Sequence, residues 1–265
     1  MKALTGKLVL SYPDIIFIPL AILYLSIQPV TAQNGYEWQI DEYGAITGGN
    51  KNQKNIYLIF TGHEFYDGAE IIINVLKKHQ IKASFFFTGD FYRDPACKDI
   101  IRQLIRDGHY MGAHSDKHLL YCSWEKRDSL LITRKTFRKD LLNNYKEMDR
   151  FGIKKEDASY YMPPFEWYNE TITRWTKELG FTLTNFSPGT SSNQDWTFPE
   201  TGKKYISSEE IFSRILSYEK KHTLNGFMLL THIGTDPKRT DKFYMKLDTL
   251  IINMLEKGYS FSRLP

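Results

Sequence analysis

Cysteine is scarce in this sequence of 265 residues, which holds only Cys97 and Cys122. No cysteine lies directly after the apolar segment near the N-terminus, so a new N-terminus formed there would have no acceptor for a lipid. If the protein is exported, Cys97 and Cys122 can form a disulfide, and two buried thiols are the alternative. The sequence alone leaves both alternatives open.

Apolar runs long enough to span a membrane are also missing. Residues 15–30 are largely apolar, but Pro19 and Pro29 interrupt them, and the run is shorter than the roughly 20 apolar residues that a bilayer requires. Basic residues precede this run, and small residues end it at Ala32, as a signal peptidase requires. We therefore predict a signal peptide over residues 1–32 and export to the periplasm or the extracellular space. No membrane attachment is expected after cleavage, and an uncleaved anchor is the alternative.

Blocks of basic residues are absent as well. The formal net charge is +4, and lysine and arginine are scattered among acidic residues along amphipathic stretches. This pattern lacks the basic stripe of a nucleic-acid-binding surface, so no nucleic-acid partner is expected. Nothing in it indicates an obligate protein partner. No linker rich in proline, glycine or serine divides residues 33–265, which predicts one domain.

What the sequence does have is a regular alternation of short apolar runs and longer amphipathic stretches. The runs are typical of buried strands and the stretches of helices, with glycine, proline or polar clusters at each change. Strands that alternate with helices predict an α/β fold, here a distorted β/α barrel of about seven parallel strands. The predicted strands are residues 56–61, 83–88, 110–114, 160–162, 181–186, 226–231 and 259–264, and the predicted helices are residues 69–78, 95–106, about 123–150, 170–179, about 207–221 and 242–257.

Polar side chains cluster where the predicted strands end. In a barrel of parallel strands the chemistry lies at these ends and in the loops that follow them. Asp195 is separated from its strand by a loop. The other clusters are residues 61–64, 114–118, 163–166 and His232.

The most specific local signal is the pair His114 and His118 in the stretch His-Ser-Asp-Lys-His. A spacing of four lets two imidazoles converge on one ion from adjacent turns. Histidines in this arrangement suit Zn²⁺, Co²⁺ or Ni²⁺ and leave positions for a carboxylate and water. Because such pairs also arise by chance, the spacing needs independent support.

That support comes from a resemblance that spans essentially the whole chain after residue 32. In order, the stretches LIFTGHEF, ASFFFTGDF, GAHSDKH, MPPFEWYN, QDW and GFMLLTHIG resemble the successive motifs of carbohydrate esterase family 4, the NodB-type polysaccharide deacetylases. The most specific parts are the His-Ser-x-x-His motif and the Leu-x-His near the end. The resemblance implies an acetylated glycan as substrate and one divalent metal ion, with Zn²⁺ expected and Co²⁺ or Ni²⁺ as alternatives.

The first motif departs from the family pattern Thr-Phe-Asp-Asp-Gly, in which the first Asp is the general base and the second a metal ligand. With Thr61 aligned on the Thr of the motif, His63 stands at the base position and Glu64 at the ligand position. The resemblance therefore implies Glu64, His114 and His118 as metal ligands and His63 as base, because a neutral imidazole can take a proton near neutral pH. A third imidazole ligand, His63 itself, is the alternative.

A second departure is Met162, which stands where the family carries an Arg that pairs with the base Asp. A histidine base needs no cationic partner, and a nearby Arg would disfavour its imidazolium form. The two changes together favour an altered working site. The alternative is a relative that has lost catalysis.

Three further stretches complete the implied site. His232 resembles the second catalytic histidine of the family, which protonates the leaving group. Asp195 resembles the Asp that orients this histidine, although the spacing before it departs from the family pattern. Phe165, Trp167 and Trp196 are predicted to line a sugar-binding groove, because aromatic faces pack against pyranose rings.

The predicted function is therefore metal-dependent hydrolysis of N- or O-linked acetyl groups on a carbohydrate. One alternative is a catalytically inactive relative that binds carbohydrate. Another is a metal-dependent amidase that acts on a small non-sugar substrate, which a deep closed pocket would favour over an open groove.

Overall fold

The computed structural model describes residues 30–33 and 36–265, and this part of the chain is organised around one sheet of ten strands. The predicted signal peptide falls mostly on residues 1–29, which lie outside the described residues. The strands are β1 (Val30–Gln33), β2 (Tyr36–Ile40), β3 (Ile46–Gly48), β4 (Asn55–Gly62), β5 (Ser84–Phe87), β6 (Tyr110–Ala113), β7 (Tyr160–Tyr161), β8 (Thr182–Leu183), β9 (Phe227–His232) and β10 (Ser260–Ser262).

Strands β4 to β10 pair in parallel with one another, which confirms the predicted α/β class and its parallel barrel strands, and β3 joins them by an antiparallel pairing with β9. The order across the sheet is β1-β2-β3-β9-β4-β5-β6-β7-β8, and β10 pairs with the beginning of β4. Ile46 of β3 bridges to Thr184, directly after β8, and its carbonyl accepts a hydrogen bond from the backbone N–H of Asn185 at 2.7 Å. The sheet therefore curls back on itself as a distorted barrel.

Alternate side chains of the strands face opposite sides of the barrel wall, as the two-residue period of a strand requires. In β4, Leu58 and Phe60 pack under the helices, whereas Tyr57 and Ile59 point into the barrel. The interior is thus a filled apolar core, and each large side chain in it contributes about 1.5–3 kcal/mol by leaving water. Its members are Trp38, Ile46, Tyr57, Ile59, Phe86, Tyr110, Tyr160, Met162, Met228, Leu230 and Leu264.

Seven helices cover the outside of the described sheet. Within the described ranges, none of them combines the length and the apolarity that crossing a bilayer requires. Short capping side chains fix several starts: Asn169 accepts from the N–H of Ile172 at 3.1 Å, and Ser207 from that of Glu210 at 3.1 Å. The helices are α1 (Ala69–Lys78), α2 (Gly89–Arg93), α3 (Lys98–Arg106), α4 (Arg134–Asp149), α5 (Glu170–Glu178), α6 (Ser208–His222) and α7 (Leu247–Glu256).

The prediction of one long helix over about residues 123–150 is wrong in its first part, since α4 begins only at Arg134. Thr133 has an extended backbone, and its side chain caps the helix by accepting from the N–H of Thr136 at 3.1 Å. The preceding loop makes backbone hydrogen bonds of its own, among them one from Leu131 to Tyr121. Alternating charge marks solvent exposure, which a surface loop and a surface helix share.

The two cysteines are buried free thiols, so of the two alternatives the structure has the thiols and not the disulfide. Burial raises the pKa of Cys97 to about 12 and that of Cys122 to about 11. Both therefore stay protonated at neutral pH and behave as small apolar core residues.

Candidate active site

Four histidines meet in one cavity at the carboxyl ends of the parallel strands. His63 directly follows β4, His114 directly follows β6, His118 lies in the loop beyond, and His232 is the last residue of β9. The cavity has a volume of about 620 Å³. The parallel strands thus bring together side chains from three separate stretches of sequence.

His114 is 2 % exposed and its tautomer is fixed by the backbone. Its Nδ1–H donates to the carbonyl oxygen of Met162 at 3.0 Å, so Nε2 carries the free lone pair. Burial lowers the pKa of His114 to about 3. The ring is therefore neutral, which is the form that binds a metal ion.

His118 is placed by a tightly held loop. Ser115 and His118 both have positive φ angles, 72° and 52°, and the N–H of His118 donates to Oγ of Ser115 at 2.8 Å. Asp140 on α4 accepts from the N–H of Lys117 at 3.0 Å and so fixes the middle of the loop. The ring centroids of His114 and His118 are 5.1 Å apart, and burial lowers the pKa of His118 to about 2.

His63 enters the cavity from the end of β4. Its ring stacks on that of His118, with centroids 4.7 Å apart and planes 12° apart. Its Nδ1 lies 3.1 Å from Oγ1 of Thr88, and its Nε2 lies 3.7 Å from a carboxylate oxygen of Glu64. The glycine before it is required for space, because a Cβ at Gly62 would lie 2.8 Å from Cγ2 of Ile233.

Glu64 does not line the cavity that contains His114 and His118. Its side chain is 67 % exposed and borders a smaller neighbouring pocket that it shares with His63, Phe198 and other residues. β4 ends at Gly62, so Glu64 lies beyond the strand pairing, and its side chain turns toward solvent. The structure thus brings His63 to the predicted place but leaves Glu64 at the rim.

His232 and Asp195 form the tightest charged pair of the cavity. Nδ1 of His232 donates to Oδ1 of Asp195 at 2.6 Å, and its backbone N–H donates to Oδ2 at 2.9 Å. Burial opposes the charged ring, but the charge and the hydrogen bond of Asp195 outweigh it and raise the pKa of His232. The contact predicted for Asp195 is present despite the unusual spacing.

Glu166 lines the cavity although its sequence pattern did not single it out. It was noted only as part of residues 163–166 at a strand end, yet its carboxylate oxygen lies 3.8 Å from Nε2 of His114, and its side chain is 10 % exposed. Burial raises the pKa of Glu166 to about 7, an effect that Asp195 reinforces and His232 opposes. Phe165 and Glu166 have φ angles of 60° and 51°, a conformation that no sequence pattern announces for these residue types.

Aromatic side chains form the mouth of the cavity. The three predicted ones, Phe165, Trp167 and Trp196, all line it, and Phe165 and Trp196 are 41 % and 43 % exposed. Trp124, which was not predicted, joins them at 56 % exposure with its ring centroid 5.2 Å from that of Trp167. It was missed because its loop was predicted to be helical.

A second cavity of about 660 Å³ adjoins the first. The two share Glu166, Trp167 and Phe186 as lining residues. Arg127 in this second cavity is held between aromatic rings, 3.7 Å from the ring centroid of Tyr43 and 4.1 Å from that of Trp167. The two cavities therefore adjoin along the three side chains that they share.

The donor chemistry of the cavity fits a divalent cation. His114 offers a free Nε2, and His118 is held neutral beside it. Within residues 30–33 and 36–265, however, no three His, Cys, Asp or Glu side chains already stand in the arrangement of a complete metal site. The pair is preformed, and a third protein ligand would have to turn toward it.

Comparisons with known proteins agree with this picture. The family model of polysaccharide deacetylases matches residues 48–184. The peptidoglycan-N-acetylmuramic acid deacetylase PdaA of Bacillus subtilis is 27 % identical over 239 residues, which cover 89 % of this chain and 80 % of that protein. Its solved structure, a family 4 carbohydrate esterase, covers 89 % of this chain and 92 % of its own with a TM-score of 0.65.

Two other proteins are informative. A peptidoglycan-N-acetylglucosamine deacetylase of Bacillus cereus is 21 % identical over 230 residues, covering 87 % of this chain and 74 % of that protein. BA3943 of Bacillus anthracis, described as a pseudoenzyme of carbohydrate esterase family 4, has a structure that matches with a TM-score of 0.65 at 18 % identity, covering 84 % and 68 % of the two chains. The structural likenesses confirm the fold.

Proposed function

The chain belongs to the polysaccharide deacetylase family, and from this premise we propose that it hydrolyses N-acetyl groups on the amino sugars of peptidoglycan. The observation that carries the proposal is that one cavity contains His232, whose pKa is raised by its hydrogen bond to Asp195, together with the neutral His114 and His118. The substrate class is supported by the names of the two curated relatives, both of which act on peptidoglycan amino sugars.

An extended glycan suits the shape of the site. The cavity adjoins the second cavity and has exposed Trp124, Phe165 and Trp196 at its mouth. Rings of this kind pack against the apolar faces of sugars. A small non-sugar amide would need a closed pocket, so this openness favours a carbohydrate.

We infer that His232 is the general acid. Asp195 holds its Nδ1–H and raises its pKa, so the opposite nitrogen, Nε2, carries a proton that can be passed on. Loss of an acetyl group from an amino sugar needs such a proton, because a free amide anion is a poor leaving group. The proton passes from Nε2 of His232 to the sugar nitrogen as the C–N bond breaks.

The base in this proposal is His63, which accepts a proton from the attacking water. Thr88 fixes one of its ring nitrogens, and the Glu64 carboxylate, 3.7 Å from the other, can stabilise the imidazolium that results. A divalent metal ion held by His114 and His118, with Zn²⁺ expected and Co²⁺ or Ni²⁺ as alternatives, would when bound polarise the acetyl carbonyl and activate water.

The same proposal covers where the protein acts. A catalytic domain over residues 33–265 that is exported after cleavage of residues 1–32 would meet its substrate in the cell wall. Cleavage after Ala32 would remove most of β1 and leave β2 paired with β3.

A non-catalytic carbohydrate-binding role is the second candidate, and one observation favours it. Both aspartates of the family's first motif are replaced, and Glu64 faces away from the cavity. The similarity in fold to a pseudoenzyme shows that such proteins exist on this scaffold.

The deciding experiment is acetate release by the purified protein from peptidoglycan and from N- and O-acetylated oligosaccharides, before and after a chelator and with Zn²⁺, Co²⁺ or Ni²⁺ restored. We expect release from the N-acetylated glycans that stops with chelator and returns with metal. Binding of these glycans without release at any metal concentration would support the second candidate instead.

A further inference from the structure

We propose that Glu166, and not Glu64, is the carboxylate that completes a metal site with His114 and His118. The inference rests on the proposed function, since it concerns the metal of that site. The sequence resemblance implies an acidic ligand at the end of β4. The proposal places that ligand after the end of β7 instead.

The carboxylate of Glu166 lies at nearly the right distance from His114 to share a metal ion with it. Two donor atoms bound to one zinc ion at about 2.0–2.1 Å in tetrahedral geometry are about 3.3 Å apart. The Glu166 oxygen and Nε2 of His114 are 3.8 Å apart, so a small rotation of the longer side chain brings both to one ion. Nε2 is the nitrogen of His114 that carries the free lone pair.

The carboxylate of Glu166 is also buried. The Glu166 side chain is 10 % exposed, and within the described residues its carboxylate receives no hydrogen bond. Its nearest basic group is the neutral ring of His114, and the charge of His232 offsets the burial only in part, since the pKa of Glu166 stays raised. A buried carboxylate without a donor is costly unless a cation is beside it. A metal ion between Glu166 and His114 would supply that cation.

The backbone around Glu166 fixes the direction of its side chain. The N–H of Glu166 donates to the carbonyl of Pro163 at 3.1 Å, and its carbonyl accepts from Nδ2 of Asn185 at 3.0 Å. Phe165 and Glu166 both take positive φ angles, which cost about 1–3 kcal/mol each for such residues. The local structure holds Glu166 in a costly conformation that points its carboxylate at the histidines.

Glu64 lacks the burial of Glu166 and its contact with His114. Its side chain is 67 % exposed, it lies outside the cavity, and its close partner is Nε2 of His63 at 3.7 Å. The two glutamates therefore form a matched pair: they have the same side chain and lie near the same site, but only one is buried against His114.

The experiment compares Glu166→Gln with Glu64→Gln in the full protein by titration with Zn²⁺ against a competing chelator, and by the visible absorption of bound Co²⁺. Substitution of a residue that only hydrogen-bonds a metal ligand already weakens metal binding about 10–100-fold, so loss of a ligand in Glu166→Gln is expected to weaken Zn²⁺ binding at least about 100-fold. Glu64→Gln is expected to stay within about twofold, as for an exposed side chain. Glu166→Asp, which keeps the carboxylate, should recover part of the affinity and shift the Co²⁺ spectrum.

Equal Zn²⁺ affinity in Glu166→Gln and the wild type would overturn the proposal, and so would loss of affinity in Glu64→Gln alone. Absence of Zn²⁺ and Co²⁺ binding in the wild type would overturn it too. Thermal unfolding of the metal-free variants shows whether each is folded, and Glu166→Asp serves if the Gln variant is not. If the wild type binds metal through Glu166 but releases no acetate, the ligand assignment stands while the proposed deacetylation fails.

Discussion

The cavity contains two histidine–carboxylate pairs that differ in nearly every physical respect. In the first pair His232 donates to Asp195 at 2.6 Å, and the pKa of His232 is raised. In the second, His114 and Glu166 approach only to 3.8 Å, and burial lowers the pKa of His114 to about 3. Two histidine–carboxylate pairs thus give an imidazole that holds its proton more strongly on one side and a neutral imidazole on the other.

The difference shows that proximity to a carboxylate does not decide the charge of a histidine. Both carboxylate oxygens of Asp195 accept hydrogen bonds from His232, one from the ring and one from the backbone N–H. Nδ1 of His114 is instead taken by a backbone carbonyl, and Glu166 is itself partly protonated near neutral pH because burial raises its pKa to about 7. A direct hydrogen bond creates a proton donor, whereas burial without one leaves a lone pair for a metal ion.

Removal of the tight pair is expected to have the largest effect. His232→Asn deletes the proposed acid, and because general acid catalysis contributes typically 10²–10⁴-fold, kcat for acetate release should fall by about that factor. Zn²⁺ affinity should remain, since the other pair is intact. Steady-state kinetics and metal titration on the same preparation check both halves. Unchanged kcat would remove His232 from the mechanism.

The pair of His114 and Glu166 predicts how the stability of the metal-free protein changes in acid. His114 is neutral in the folded state and takes up a proton on unfolding below its ordinary pKa of 6.5. Stability from this group is therefore complete above pH 6.5 and is lost as the pH falls from 6.5 toward 3, by up to about 1.4 kcal/mol per pH unit. Urea unfolding at pH 7, 6 and 5 should show a shallower loss in His114→Asn than in the wild type. Equal slopes would mean that His114 charges without unfolding.

Asp195→Asn loosens the tight pair without deleting the histidine. Without the carboxylate charge and its hydrogen bond the pKa of His232 should fall below its wild-type value, because burial then disfavours the charged ring unopposed by Asp195. Because the raised pKa stabilises the folded state below pH 6.5 and loses effect as the pH rises through the folded-state value, the deficit of the variant should be largest in mild acid. NMR titration of the histidine ring protons measures the shift. A wild-type His232 that titrates below 6.5 would contradict the contrast between the pairs.

The smallest effect is expected when both pairs are kept and the wall around them is changed. Trp196→Ala removes an exposed ring at the mouth of the cavity and should raise KM by about 2–10-fold, the equivalent of about 0.5–1.5 kcal/mol, with kcat nearly unchanged. Met245→Ala is the matched control, since Met245 is 63 % exposed and lies outside both cavities. Equal KM in Trp196→Ala and the wild type would place the sugar elsewhere.

Much of the barrel follows from the sequence because buried strands and amphipathic helices have distinct periods. Helix α1 has the predicted bounds, and β4 extends one residue beyond its prediction at each end. Strands β2 and β3 were not predicted: they pair antiparallel before the β/α alternation begins, and β3 has only three residues. β3 also pairs with β9, far along the chain, and local periodicity does not report such a partner.

The site divides in the same way. The convergence of His63, His114 and His232 follows from parallel strands that end at one edge, so their sequence motifs are sufficient to predict it. Glu166 depends instead on two successive positive φ angles in a Pro-Pro-Phe-Glu turn. Because neither Phe nor Glu favours that conformation, sequence pattern points away from the geometry that the tertiary structure imposes.

The left-handed backbone at Ser115, His118, Phe165 and Glu166 has a consequence for how this protein tolerates change. Selection for stability alone would place glycine at such positions, since glycine adopts a positive φ without steric cost. At His118, Phe165 and Glu166 the same exchange would erase an imidazole, a ring and a carboxylate of the cavity. Thermostability and function therefore oppose each other at these positions, and stabilised variants are better sought in the helices outside the barrel.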